Sequence, residues 1–139
     1  MLLLDTHVWV WSVQGDARRI GGRTRRLLTR GAKQGRLRLS PVSLFELAAL
    51  HTVGRVRFAM PLRRWIDASL EVSGMGIAEL TAAAAIDAGA LPRQSLPDPL
   101  DRLLIATATT VEATLVTADE RILAYATARD DLRVHDART

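Results

Sequence analysis

Four acidic residues stand near the starts of predicted helices, each following a short apolar run. They are Asp5 in LLLDT, Glu46 in LSPVSLFE, Asp101 in DPLDR and Asp119 in TLVTADE. In a chain that alternates strands and helices, such junctions lie along one edge of the sheet, where open α/β folds bind ligands. Carboxylate oxygens gathered there suit Mg²⁺ or Mn²⁺, and such an ion activates water and stabilises charge on a phosphodiester. The pattern therefore predicts metal-assisted phosphodiester hydrolysis.

Each acid also has a purely structural explanation. Asp5 could cap the first helix, and Asp98 could cap the helix that carries Asp101. Ser43 and Glu46 have the spacing of a capping box. Capping, however, needs only a short polar acceptor, so Ser, Thr or Asn would serve as well as an acid. Carboxylates that converge repel one another, and one of them becomes protonated unless a cation is present. The convergence of all four therefore favours a site over simple capping.

The elements that must position these acids alternate along most of the chain. Short apolar runs predict strands at 2–4, 36–39, 75–79, 114–117 and 132–135. Amphipathic or alanine-rich runs predict helices at 6–13, 17–30, 41–53, 62–72, 82–91, 100–111 and 120–128. This alternation indicates an α/β fold with a mostly parallel sheet covered on both faces. Strand order cannot be read from the pattern.

Size and composition limit the other possibilities. With 139 residues and 48% hydrophobic content, the chain is expected to form a single domain, 1–139, with its own core. The absence of cysteine excludes disulfides, thiolate catalysis and cysteine-based zinc sites. The apolar run before Asp5 is too short for a signal peptide or a membrane span. A cytoplasmic protein without a membrane partner is therefore expected.

The basic residues are concentrated in one part of the chain. Thirteen of the 19 fall between Arg18 and Arg64, where Glu46 is the only acid. Every basic residue except Lys33 is arginine, whose planar guanidinium suits phosphate recognition. One interpretation is a surface that attracts RNA, with candidate contacts at Arg23, Arg25 and Arg26. The alternative is that these arginines are only solvated helix faces.

The segments that carry the acids resemble those of one known family. LLLDTHVWVW, SPVSLFELAAL, DPLDRLLIATA and TLVTADERI look like the PIN-domain ribonucleases, over nearly the whole chain and in the same order and spacing. More narrowly, the chain resembles the VapC toxins of bacterial toxin–antitoxin pairs. The resemblance implies a three-layer α/β/α fold with a five-stranded parallel sheet. It also implies an endoribonuclease that depends on Mg²⁺ or Mn²⁺ and cuts single-stranded RNA or RNA loops.

The resemblance also assigns roles to individual residues. The four catalytic acids of the family are matched by Asp5, Glu46, Asp101 and Asp119. Of these, Asp5, Asp101 and Asp119 are the expected metal ligands. Asp98 matches an extra acid of the DPxDR subgroup, while Thr6 and Thr117 match polar positions beside the first and last acids. The expected partners are an RNA substrate, a second copy of the chain and a cognate antitoxin whose tail covers the acidic pocket.

Other readings of the chain are weaker. A phosphatase of the haloacid dehalogenase type needs a second aspartate two residues after Asp5, where this chain has His7. A response-regulator receiver needs a lysine after its fifth strand, and the only lysine is Lys33. His7 is near enough to Asp5 to touch the site, although helix periodicity could turn it away. The remaining alternative is a non-catalytic PIN-like domain that binds RNA or serves as a scaffold.

Overall fold

The first strand of the chain lies at the centre of the sheet. A computed structural model describes residues 1–16 and 18–139. Its five strands, all parallel, have the order β3-β2-β1-β4-β5. They span Leu2–Leu4 (β1), Leu37–Leu39 (β2), Gly76–Ile77 (β3), Thr114–Thr117 (β4) and Val134–Asp136 (β5). Because all strands are parallel, their carboxyl ends lie at the same edge, as the sequence predicts.

Seven helices cover the two faces of this sheet. They span Thr6–Gln14 (α1), Gly22–Lys33 (α2), Pro41–Thr52 (α3), Leu62–Ser73 (α4), Ala82–Gly89 (α5), Pro99–Thr110 (α6) and Glu120–Ala126 (α7). Side chains alternate along β1, so Leu2 and Leu4 pack among α1 to α4, while Leu3 packs against α6 and α7. The three-layer α/β/α fold with a five-stranded sheet is therefore confirmed.

Local capping explains where the helices around the sheet edge begin. Ser40 accepts the Val42 N–H at 3.1 Å, and Pro41 occupies the first turn of α3. Thr81 caps α5 in the same way, by accepting the Ala84 N–H at 3.1 Å.

None of the described helices has both the length and the apolar content that a membrane crossing requires.

The boundaries of several elements differ from the sequence prediction, most of all in α2. This helix begins at Gly22 rather than at residue 17, which lies outside the described residues. Its N-cap is Gly21, which provides no capping side chain. Instead the Thr24 N–H donates to the main-chain oxygen of Thr139 at 3.0 Å, and the Gly21 N–H donates to the oxygen of Ala137 at 2.9 Å. The start of α2 is therefore fixed by the residues after β5, which local sequence cannot reveal.

The edge strands are shorter or shifted relative to the prediction. β3 has only two residues, and it pairs through Arg38↔Gly76 and Leu39↔Ile77. β5 begins two residues later than expected, at Val134, because its register is set by pairing with Leu115 in β4. Edge strands have one hydrogen-bonding neighbour, so their ends are determined by that neighbour more than by their own hydrophobic pattern.

Candidate active site

Asp5 lies at the carboxyl end of the central strand and is held from two sides. It is only 5% exposed. Its Oδ1 accepts the Thr6 N–H at 2.7 Å and so caps α1, while its Oδ2 accepts the hydroxyl of Thr117, at the end of β4, at 2.6 Å. Asp5 is thus both a helix cap and a fixed carboxylate at the sheet edge.

Asp119 is hydrogen-bonded to the same residue, Thr117. Its main-chain N–H donates to Thr117 Oγ1 at 3.0 Å. Its Oδ1 accepts the N–H groups of Arg121 and Ile122 at 2.8 and 3.1 Å, which caps α7. Because the fully buried Thr117 binds both neighbours, it fixes Asp119 relative to Asp5 across two adjacent strands.

Asp98 and Asp101 have separate roles at the start of α6. Asp98 accepts the Leu100 N–H at 2.9 Å and is the N-cap, as predicted. Asp101 lies in the first turn, and no group among the described residues donates a hydrogen bond to its carboxylate. Burial, followed by the charges of Asp119, Asp98, Asp5 and Glu46, raises its pKa from 3.8 to about 7. Asp101 therefore lies within electrostatic reach of all four other acids.

Glu46 lies in the second turn of α3, not at its start. The predicted capping box is wrong, because Ser40 is the N-cap and the buried Ser43 lies inside the helix. Burial and, less strongly, the charges of Asp5 and Asp98 raise the pKa of Glu46. The nearby Thr6 hydroxyl and His7 ring act in the opposite direction. With no capping role, Glu46 is available for chemistry.

Ser43 and His7 join the site, although the sequence did not assign them to it. Ser43 Oγ accepts the Thr6 hydroxyl at 2.9 Å and so connects α1 to α3 beside Glu46. The signal was its position three residues before Glu46, which places both on one helix face. His7 Nε2 accepts the Ala118 N–H at 3.0 Å, and its Nδ1 lies 3.7 Å from Asp5 Oδ2. Because Nε2 accepts, a neutral His7 carries its proton on Nδ1, towards Asp5.

Five acids therefore form one group, here called the acid cluster: Asp5, Glu46, Asp98, Asp101 and Asp119. The expectation that every acid follows a strand is wrong for Asp101, because α6 follows a loop after α5. Three members cap helices through backbone N–H groups. The pKa is raised in the two that do not cap, Glu46 and Asp101.

The donor chemistry of the acid cluster suits a divalent cation. Its oxygen donors are hard ligands, and the pKa of Asp101 is raised by burial and then by the neighbouring acids, whose repulsion a cation would offset. Within the described residues, however, no three His, Asp or Glu side chains are placed closely enough to hold an ion together. The residues fit the ion in type and charge, whereas joint coordination would require them to move closer.

The three arginines proposed as RNA contacts line two different grooves. Arg23 and Arg26 line a cavity beside β5, together with Leu27, Arg30 and His135. Arg25 lines a different groove, which contains Trp11, Ile20 and Leu28. Residues two apart on an α-helix lie about 200° apart around its axis, which explains the separation. The predicted group therefore divides into two.

Comparisons with known proteins match nearly the whole chain. The model of the PIN domain family matches residues 2–128. Ribonuclease VapC22 of Mycobacterium tuberculosis is 33% identical over 125 residues, which cover 89% of this chain and 91% of the relative.

Solved structures share the fold at lower identity. VapBC2 from Rickettsia felis, bound to a DNA fragment from its promoter, matches with a TM-score of 0.67 and 21% identity, covering 96% of each chain. A toxin–antitoxin complex from Klebsiella pneumoniae matches with a TM-score of 0.59 and 18% identity, covering 99% of this chain and 98% of the other.

Proposed function

Since the chain belongs to the PIN-domain family and has a VapC ribonuclease among its relatives, we propose that it is an endoribonuclease toxin dependent on Mg²⁺ or Mn²⁺. It hydrolyses RNA phosphodiester bonds in the cytoplasm and is neutralised by a cognate antitoxin. The observation that carries the proposal is the gathering of four other acids around Asp101, whose pKa is raised to about 7 by burial and then by their charges. A protein that used these acids only as caps would gain nothing from this repulsion.

The ion would be held by Asp5, Asp101 and Asp119, with Glu46 close by. A bound divalent ion supplies Lewis-acid stabilisation of negative charge on the phosphodiester and lowers the pKa of water. The chain positions its own groups for this chemistry. Thr117 fixes Asp5 by a hydrogen bond of 2.6 Å and also accepts the Asp119 N–H. These hydrogen bonds set the separation of two proposed ligands.

Glu46 is the residue best suited to transfer a proton. Burial raises its pKa, which brings it towards the neutral range in which a carboxylate is an effective general base or acid. The Thr6 hydroxyl beside it is fixed by Ser43 at 2.9 Å, so the surroundings of the carboxylate are ordered. Glu46 is therefore proposed to accept a proton from the attacking water, while two hydrogen bonds hold the Asp5 carboxylate in place.

The partners follow from charge and from the relatives. A basic segment with 13 cations and one acid between Arg18 and Arg64 favours RNA over a small neutral substrate. The structural relative from Klebsiella pneumoniae is described as a toxin–antitoxin complex, and the one from Rickettsia felis as VapBC2, which supports an antitoxin partner. A homodimer is proposed because the chain resembles the VapC toxins.

A non-catalytic PIN-like domain that binds RNA or serves as a scaffold is the second candidate. It is favoured by one observation, namely that three of the five acids already cap helices. Such a domain would bind RNA without cutting it. The wild-type protein would then bind Mn²⁺ no better than the Asp101→Asn variant does. The two candidates therefore differ in metal binding as well as in cleavage.

The deciding experiment measures cleavage and metal binding on one preparation. Purified protein is incubated with single-stranded RNA in Mg²⁺ or Mn²⁺, with and without excess EDTA. Mn²⁺ binding is followed by calorimetry in parallel. We expect cleavage that EDTA abolishes, and loss of both cleavage and Mn²⁺ binding in Asp101→Asn. Cleavage that persists in EDTA would overturn the metal dependence, and a folded protein that binds RNA without cutting it would favour the second candidate.

A further inference from the structure

The cavity beside β5 differs from the acid cluster in both position and charge. It has a volume of ≈ 270 Å³ and is lined by Arg23, Arg26, Leu27, Arg30 and His135; it is here called the α2 cavity. Positions 23, 26, 27 and 30 form one stripe along α2. Of the described residues that line the cavity, none is an acid.

The three arginines of the α2 cavity have no partner of opposite charge among the residues that the structure describes. Within the described part of the chain, the guanidinium groups of Arg23, Arg26 and Arg30 take part in no ion pair or hydrogen bond. The nearest acid along β5, Asp136, is already bound to Arg138, whose Nη2 lies 2.7 Å from Asp136 Oδ2. Arg138 also pairs with Glu120. The positive charge of the cavity is therefore not neutralised by the protein itself.

His135 adds a fixed polar group to the cavity wall. Its Nε2 lies 2.7 Å from Thr24 Oγ1, a buried hydroxyl that is also within hydrogen-bonding distance of the main-chain oxygens of Asp136 and Thr139. Burial and then the charge of Arg23 lower the pKa of His135, which places this guanidinium close to the ring. The wall thus combines a hydrogen-bonded imidazole with three exposed guanidinium groups.

The sheet register relates His135 in the α2 cavity to Asp5 in the acid cluster. His135 pairs with Val116 in β4, and Val116 pairs with Leu4 in β1, which directly precedes Asp5. Two strand spacings put the main chains of His135 and Leu4 ~10 Å apart. One RNA strand of a few nucleotides could therefore contact both His135 and the carboxyl end of β1.

From this geometry we propose that the α2 cavity binds backbone phosphates of the RNA substrate. The inference rests on the proposed function and identifies the part of the basic segment that the RNA contacts. Guanidinium groups bind phosphate through paired N–H donors, and three of them without carboxylate partners suit a phosphodiester chain. Arg25, which lines a different groove, is not part of this contact.

The test compares two triple variants with the same change in net charge. The cavity variant is R23Q/R26Q/R30Q. The control variant is R55Q/R57Q/R63Q, which replaces three exposed arginines in the α3–α4 region. Glutamine removes the charge but keeps a good helix former. Both variants are made in an Asp101→Asn background, so that labelled single-stranded RNA stays intact, and thermal melting checks that both fold.

RNA affinity is measured over a range of salt concentrations without divalent ions. Each phosphate contact on single-stranded nucleic acid contributes about 0.7 to the slope of log affinity against log salt. We therefore expect the cavity variant to lose about 2 from this slope and to bind roughly tenfold more weakly at low salt. The control should change much less. In the parent protein, the ring resonances of His135 should shift when RNA is added.

Three results would overturn the proposal. The first is equal weakening by the two variants, which would indicate general charge attraction. The second is unchanged RNA binding by the cavity variant. The third is a cavity variant that loses binding to a polyglutamate peptide but keeps RNA binding, which would assign the cavity to an acidic protein. Failure of the nuclease function is seen separately, as absence of Mg²⁺-dependent cleavage by the wild-type chain.

Discussion

Thr117 and Asp5, 112 residues apart in sequence, are joined by a hydrogen bond of 2.6 Å between the ends of two adjacent strands. The same hydroxyl accepts the Asp119 N–H at 3.0 Å. One buried side chain therefore determines the relative position of two acids that we propose as metal ligands.

Replacing Thr117 by Val should disrupt this arrangement. The substitution nearly keeps the volume but removes the hydroxyl, so the buried Asp5 Oδ2 loses its donor, at a cost of about 1–3 kcal/mol in unfolding free energy. We expect cleavage to fall more than tenfold, on the order of the effect of misplacing a catalytic group. Cleavage rates and urea denaturation measure the two effects. Thr117→Ser, which keeps the hydroxyl, should retain most of the activity, and equal losses in the two variants would show that the hydroxyl is not responsible.

Asp101 should make the metal-free protein less stable as pH rises. Its carboxyl has a pKa of about 7 in the folded protein and an ordinary value of 3.8, so the folded state binds the proton more tightly. Stability should therefore fall between those two pH values and show no further loss from this group above pH 7. Urea midpoints measured across this window without divalent ions test the direction. Asp101→Asn should flatten the profile, and parallel profiles for the two proteins would contradict the assignment.

Asp98 and Asp101 should respond differently to substitution. Asp98 caps α6 through the Leu100 N–H, so Asp98→Ser should keep stability, whereas Asp98→Ala should lose about 1 kcal/mol. Asp98→Ser should also lose less cleavage activity than Asp101→Asn. The serine still caps α6, and the charge that is removed does not belong to a proposed metal ligand. Paired cleavage and thermal-melting measurements compare these variants. The reverse order of activities would exchange the roles of the two acids.

Two adjacent glycines at the start of α2 should behave in opposite ways. A Cβ on Gly21 would lie 2.1 Å from the main-chain carbonyl atoms of Thr139, so Gly21→Ala should displace residues 137–139 and cost about 1–3 kcal/mol. A Cβ on Gly22 would meet nothing closer than 3.6 Å, so Gly22→Ala should be neutral or gain up to about 1 kcal/mol. Urea denaturation of both variants tests this contrast, and similar midpoints would argue against the contact with Thr139.

The sequence predicts the elements and the acids better than it predicts their boundaries and roles. All five strands and seven helices are present, because hydrophobic periodicity records which face of an element is buried. The start of α2 was misplaced since it depends on Thr139, which is distant in sequence. Strand order and the Thr117–Asp5 contact are likewise long-range, and local pattern contains no information about them.

Two errors came from signals that were present but misread. Ser40-Pro41 already indicated the start of α3, and that start places Glu46 in the second turn, so the capping box with Ser43 was not needed. The stripe of Arg23, Arg26 and Arg30 follows helical spacing, whereas Arg25 was grouped with its sequence neighbours. Counting helical turns from Pro41 places Glu46 correctly, and helical spacing alone separates Arg25 from the stripe.

The central position of β1 affects when the site can exist during synthesis. A chain emerging from the ribosome contains Asp5 and Glu46 early, but Thr117 and Asp119 only after β4 has been made, and β1 pairs with β4. Until then Asp5 lacks its hydroxyl partner and the acid cluster lacks its last member. Nascent chains and fragments that stop before β4 should therefore be harmless to RNA, and this topology delays any cleavage until β4 has been made.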